Sequence, residues 1–180
     1  MNIPSHSTLV KDKMQQLANV TTQAVTRITE QILSNAANAL RDSIGSSGYE
    51  EYLDKLNAYM VVVVIPPVDG ESESTESLVY DEFDAKNYGD LTDDEKSLRN
   101  LIYAEAYFGL YYLSIALRKL VKGNVNTSRE GAAGLSVAVP SFDDLIGNME
   151  LYRDQALMCI SSALGSSDGF FDGQMVVFVV

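Results

Sequence analysis

The sequence predicts a mainly α-helical protein: a bundle of three long helices plus short helices, with one or two short β segments and an extended C-terminal arm. Three observations carry this. The run from Leu91 to Gly123 is apolar on nearly every side between strong helix start and stop signals. Two other stretches, Thr21 or Thr22 to Ile44 and Ser141 to Gly165, repeat apolar residues at helical spacing. The clearest β-branched runs are Met60 to Ile65 and Gln174 to Val180. At 180 residues one domain is expected. Such a chain buries roughly 70 % of its unfolded surface. The organisation reads as a helical unit over 1–165 with an acidic insert at 66–90, followed by an arm over 166–180.

From the N-terminus, Leu9 to Ala18 places Val10, Met14 and Leu17 on one side and predicts a short leading helix. The second helix carries the stripe Val25, Ile28, Ile32, Ala36, Leu40 and Ile44, and should stop at Gly45-Ser46-Ser47-Gly48. Tyr49 to Tyr59 follows as a short helix with Tyr52, Leu53, Leu56 and Tyr59 on one side. Met60 to Ile65 (MVVVVI) then ends at Pro66 and Pro67, as a short buried or paired strand would. Gly123 to Pro140 is a glycine-rich loop with a possible strand at Leu135 to Val139. Ser141 caps the third long helix, whose stripe runs from Phe142 through Leu145, Met149, Tyr152, Ala156 and Ile160 to Ala163. A flexible GSSDGFFDG then leads to QMVVFVV.

The central helix is the most informative element. Thr92 and Glu95 have capping-box spacing, with Asp93 and Asp94 between them in the first turn. Lys119, Lys122 and Gly123 read as its end. A surface helix has a polar face, and this one has almost none. A membrane span is disfavoured, because Glu105 interrupts the run, Arg99 and Arg118 bound it, and four tyrosines lie inside it. The expectation is a helix covered by its own chain on one side and by a neighbouring subunit on the other.

Charge is concentrated. The net charge is −12, and −10 of it lies between Asp69 and Glu95, where eleven acids face Lys86 alone. That composition predicts a solvated acidic loop, or a surface that repels nucleic acid or meets a basic partner. No basic stripe points to sequence-specific nucleic-acid binding. The single cysteine, Cys159, excludes an internal disulfide, and MNIPSHSTLVKDK lacks a signal-peptide pattern, so assembly in the cytoplasm is expected.

Catalytic chemistry is sparse. His6 is the single histidine and is expected in solvent on a mobile N-terminal segment. Cys159 lies beside an apolar stripe and reads as a small hydrophobe. Ser136 in GLSVA lacks the second glycine of a nucleophile elbow, and Asp168 and Asp172 do not reach calcium-loop spacing. No phosphate or dinucleotide loop occurs. Glu105 within its apolar helix reads either as a perturbed carboxyl or as a polar contact across an interface. No enzyme, metal or cofactor is expected.

Three segments together resemble the head–tail connector (adaptor) proteins of tailed bacteriophages. VTTQAVTRITEQILSNAANALRDSIGSSGYEEYL is similar to an opening adaptor helix ending in a glycine turn and a Tyr- and acid-rich short helix. LTDDEKSLRNLIYAEAYFGLYYLSIAL is similar to the Tyr/Ala-rich central helix, and GNVNTSREGAAGLSVAVPSFDDLIGNMELYRDQALMCISSAL to the loop and helix that follow. They stand in the family's order and cover well over half the chain. Met60 to Asp90 departs from compact members by being longer and very acidic.

The resemblance implies a virion protein of the neck. It implies a homo-oligomeric ring of about twelve subunits, bound to the portal and to tail-side neck proteins, through which DNA passes. On this reading Tyr103, Glu105, Tyr107, Leu110 and Tyr111 are subunit-interface candidates. Asp81, Glu82 and Asp84 are candidates to face the lumen, where like charge keeps DNA from sticking. Met175, Val176, Val177, Phe178, Val179 and Val180 form an arm that adds as a strand to the portal or a neck subunit, or else pairs with Met60 to Ile65. Other readings are a different neck or tail-completion protein, or a cytoplasmic helical ligand-binding domain or enzyme using Tyr103, Glu105 and Tyr107.

Overall fold

A computed structural model describes residues 6–18, 27–65, 75–80, 86–127 and 140–165. The arm with Met175 to Val180, the acids Asp81, Glu82 and Asp84, and the possible strand at Leu135 to Val139 lie outside the described residues.

The chain order is α1 (His6–Ala18), α2 (Glu30–Ala58), β1 (Met60–Ile65), β2 (Thr75–Tyr80), a 3-10 turn at Tyr88–Asp90, α3 (Asp93–Thr127), α4 (Pro140–Gly147) and α5 (Met149–Gly165). The fold is a mainly α-helical bundle, as the apolar periodicity predicts. Among the described residues three helices are long: 29 residues in α2, 35 in α3 and 17 in α5.

Helix α2 begins later than Thr21 or Thr22. Thr29 is its N-cap, with extended backbone and a hydroxyl that accepts from the Ile32 amide at 3.4 Å. The expected stop at Gly45 is a kink, and the helix resumes through Tyr49 and Tyr52 to Ala58. Gly45 has φ 79°, which a residue without a Cβ adopts freely, so one glycine turns the axis without a loop. Ser43 bonds back to the Ala39 carbonyl at 2.7 Å just before the kink.

Helix α3 starts as its capping box requires. The Thr92 hydroxyl accepts from the Glu95 amide at 3.2 Å, and Glu95 Oε2 accepts from the Thr92 amide at 2.9 Å. Lys86 holds the other carboxylate oxygen at 2.6 Å. The far end differs from expectation: helical backbone runs through Gly123 to Thr127. A mid-helix glycine costs only about 1 kcal/mol, which a helix this long absorbs.

The Lys86 contact, and next the Thr92 amide, hold the Glu95 carboxyl below the usual range. Stability from a carboxylate with a lowered folded-state pKa is present above its unfolded value and lost as pH falls through the folded one. Glu95→Gln, which can still cap, should therefore melt below wild type at neutral pH. The gap should close on acidification below about pH 4. Thermal melts at both pH values check this; a gap that does not change with pH would assign the effect to shape rather than charge.

The third long helix is divided. Helix α4 opens at Pro140, whose missing amide and fixed φ suit a first turn, rather than after a Ser141 cap. Asn148 separates α4 from α5, yet its amide reaches Asp144 O and its carbonyl accepts from the Tyr152 amide, both at 3.0 Å, so the break is slight.

Strands β1 and β2 pair antiparallel, Met60 opposite Tyr80 through Ile65 opposite Thr75. The acidic stretch is thus not one solvated loop: Thr75 to Tyr80 forms a strand within it. Leu78, Val79 and Tyr80 carry the strand tendency that the surrounding charge hides.

Helix α3 runs through the middle of the bundle. One apolar cluster joins it to α2 and α5 through Leu40, Tyr52, Leu98, Leu101 and Ile160. Another joins it to α1 and the first half of α2 through Val10, Met14, Ile32, Leu110 and Leu117. Ser97 donates to Ala163 O at 3.1 Å, and Ser114 to Leu145 O at 2.7 Å, tying α5 and α4 to the same helix. The apolar circumference is therefore covered largely by the chain itself rather than half by a neighbour.

Candidate functional site

The densest polar arrangement inside the bundle surrounds Glu105, which sits in the first half of α3 and is 1 % exposed. Residues 104, 106, 108 and 110 around it are buried and apolar, so its carboxylate must find partners from other helices. His6, the first residue of α1, places Nε2 2.6 Å from Glu105 Oε2. Tyr52 donates its hydroxyl to the same oxygen at 3.1 Å and lies 3.3 Å from His6 Nε2.

The Gly45 kink directs the second half of α2 so that Tyr49 and Tyr52, one turn apart, both face this point. Tyr49 meets His6 edge-on at 6.3 Å between ring centroids, and the Arg41 guanidinium lies 4.8 Å over its outer face. Burial pushes the Tyr49 hydroxyl upward and the Glu105 charge adds to this, with Arg41 opposing.

His6 is therefore not in solvent, as the sequence led us to expect, but is the lid of a buried His–Glu–Tyr cluster, with its side chain 19 % exposed. Nothing in the spacing points to that pairing, since 99 residues separate the partners. The signal that was present is Glu105 itself, a carboxylate in an apolar helix.

The candidate interface residues separate into two groups. Glu105 and Leu110 are enclosed by their own chain, at 1 % and 0 % exposure, which removes them as subunit contacts. Tyr103, Tyr107 and Tyr111 are half-buried. Tyr107 stacks on Tyr152 of α5 with centroids 6.4 Å apart, and Tyr111 meets Tyr112 edge-on at 5.3 Å. Burial raises the Cys159 thiol above the ordinary range. Leu151 and Met158, seven residues apart on α5, are exposed, a feature hidden in a helix that reads as one apolar stripe.

Among the described residues, no group of three His, Cys, Asp or Glu side chains could hold a metal ion. No helix among them is long and apolar enough to cross a membrane. Fold and contacts together define a mainly α-helical bundle organised round a central helix. No protein-family model matches the chain, and no curated protein or solved structure matches it.

Proposed function

We propose that this chain is a structural virion protein, a subunit of the head–tail connector ring beneath the portal of a tailed bacteriophage. The observation that carries the reading is the order of the three resembling segments, opening helix, Tyr/Ala-rich central helix, and glycine-bounded loop leading to a Tyr-bearing helix. Support also comes from where they lie. Their described residues form α2, α3 and the α4–α5 pair, the elements from which the bundle is built. The half-buried tyrosines and the exposed Leu151 and Met158 supply apolar surface for a neighbouring copy. In this reading the partners are other copies of the chain, the portal and tail-side neck proteins. DNA passes through the ring without being read, as a chain of net charge −12 favours. The chemistry is assembly rather than catalysis, and the place is the virion neck.

Native mass spectrometry and negative-stain imaging of the purified protein, with and without portal, test the reading. Rings, alone or on the portal, are expected. A monomer or dimer under both conditions would overturn it.

A further inference from the structure

We propose that the segment Met175 to Val180 adds, within its own chain, as a third strand on the outer edge of β1. The proposal does not rest on the ring reading.

Among the described residues, β1 and β2 form a two-stranded sheet and have only sparse contact with the helices. A ribbon of two strands is marginal in water, and a third strand or a packed helix is what stabilises one.

The two edges of the ribbon differ in chemistry. Successive strand residues alternate between faces, so β1, apolar at each of its six positions, is apolar toward both. That pattern belongs to a central strand, covered on both sides. Strand β2 (TESLVY) carries Thr75, Glu76 and Ser77 and suits an outer position, where polar and charged residues deter further pairing. The register from Met60 opposite Tyr80 to Ile65 opposite Thr75 uses one edge of β1 over its whole length. The strand order that fits these residues is β2, β1, then the added strand.

The chain carries a matching strand and brings it to the right end of the bundle. Strand β1 starts just after α2 ends at Ala58. Near that end, Lys55 lies 3.5 Å from Asp94 at the start of α3. Ser97, one turn on, bonds to Ala163 in the last turn of α5 at 3.1 Å. The root of the ribbon and the end of α5 are therefore neighbours. Helix α5 ends at Gly165. Met175 to Val180 (MVVFVV) matches β1 in length, has no charged side chain and consists largely of strand formers. The residues 166–174 that lead to it reach up to about 30 Å when extended. Six strand residues span about 20 Å, so both ends of β1 are within that reach.

Hydrogen–deuterium exchange of the full-length protein tests this, with residues 60–65 as the readout and 93–118 as reference. Neighbouring strand residues direct their amides to opposite edges, so in Val177→Pro/Phe178→Pro one of the two prolines removes a donor toward β1. Exchange over 60–65 should be severalfold faster in this variant than in wild type while the reference holds. Val177→Thr/Phe178→Tyr, which keeps strand tendency, should exchange as wild type does. Equal exchange of 60–65 in wild type and the proline variant would overturn the proposal. So would wild-type protection that falls on dilution, which would assign the added strand to a neighbouring copy. A change confined to 75–80 would place the segment on β2 and overturn it as well.

Discussion

Replacing Leu110 with Arg is expected to unfold the protein, whereas Tyr107→Arg should leave the chain folded and, if the chain forms the proposed ring, weaken that ring. Leu110 has no exposed surface and packs in the cluster that joins α1 and α2 to α3. An unpaired guanidinium there faces a desolvation cost of several kcal/mol, comparable to the whole stability of a domain of about 5–15 kcal/mol. Tyr107 is half-buried and stacked on Tyr152, with one side toward solvent. An arginine can place its stem along that surface and its charge in water, so the loss is about 1–2 kcal/mol. Circular dichroism should show lost helix for Leu110→Arg alone; if the wild type forms the proposed rings, native mass spectrometry should show them lost for Tyr107→Arg with retained helix. Wild-type-like rings from Tyr107→Arg would take this tyrosine out of the subunit contact.

The second large effect belongs to Tyr52, which is fully buried and bonded to Glu105. Tyr52→Ala removes a ring from the core beside Leu40 and Leu56, and large aromatic deletions of this kind cost about 3–5 kcal/mol. Tyr52→Phe keeps the ring and removes only the hydroxyl. Since hydrogen bonds to charged groups contribute about 1.5–3 kcal/mol, it should fall between wild type and Tyr52→Ala. Urea titrations with an unchanged slope would read both directly. If Tyr52→Phe were as stable as wild type, the hydroxyl would contribute nothing to holding Glu105.

The capping box at Thr92 and Glu95 was readable because both partners lie within one turn, and the structure has the reciprocal bonds. The Gly45 break was readable because positive φ is a local property of glycine, though its form as a kink was not. Met60 to Ile65 read as a strand from its own residues, but its partner at Thr75 to Tyr80 lay under a run of acids. The end of α3 lies beyond Gly123, because lysines and a glycine mark a stop only if the backbone leaves the helix there.

The sequence by itself determined what depends on neighbours along the chain. These are the helical class, the apolar stripes, the cap of α3, the break at Gly45 and the charge concentrated before the central helix. Only the tertiary structure decided which surfaces meet. It enclosed Leu110 and Glu105 within one chain, left Tyr107 half-covered, and brought His6 to a carboxylate 99 residues away. The physical reason is range. Helical periodicity, capping and glycine conformation act within a turn or two, whereas burial and charge pairing depend on how whole helices cross, and no spacing along the chain encodes that distance.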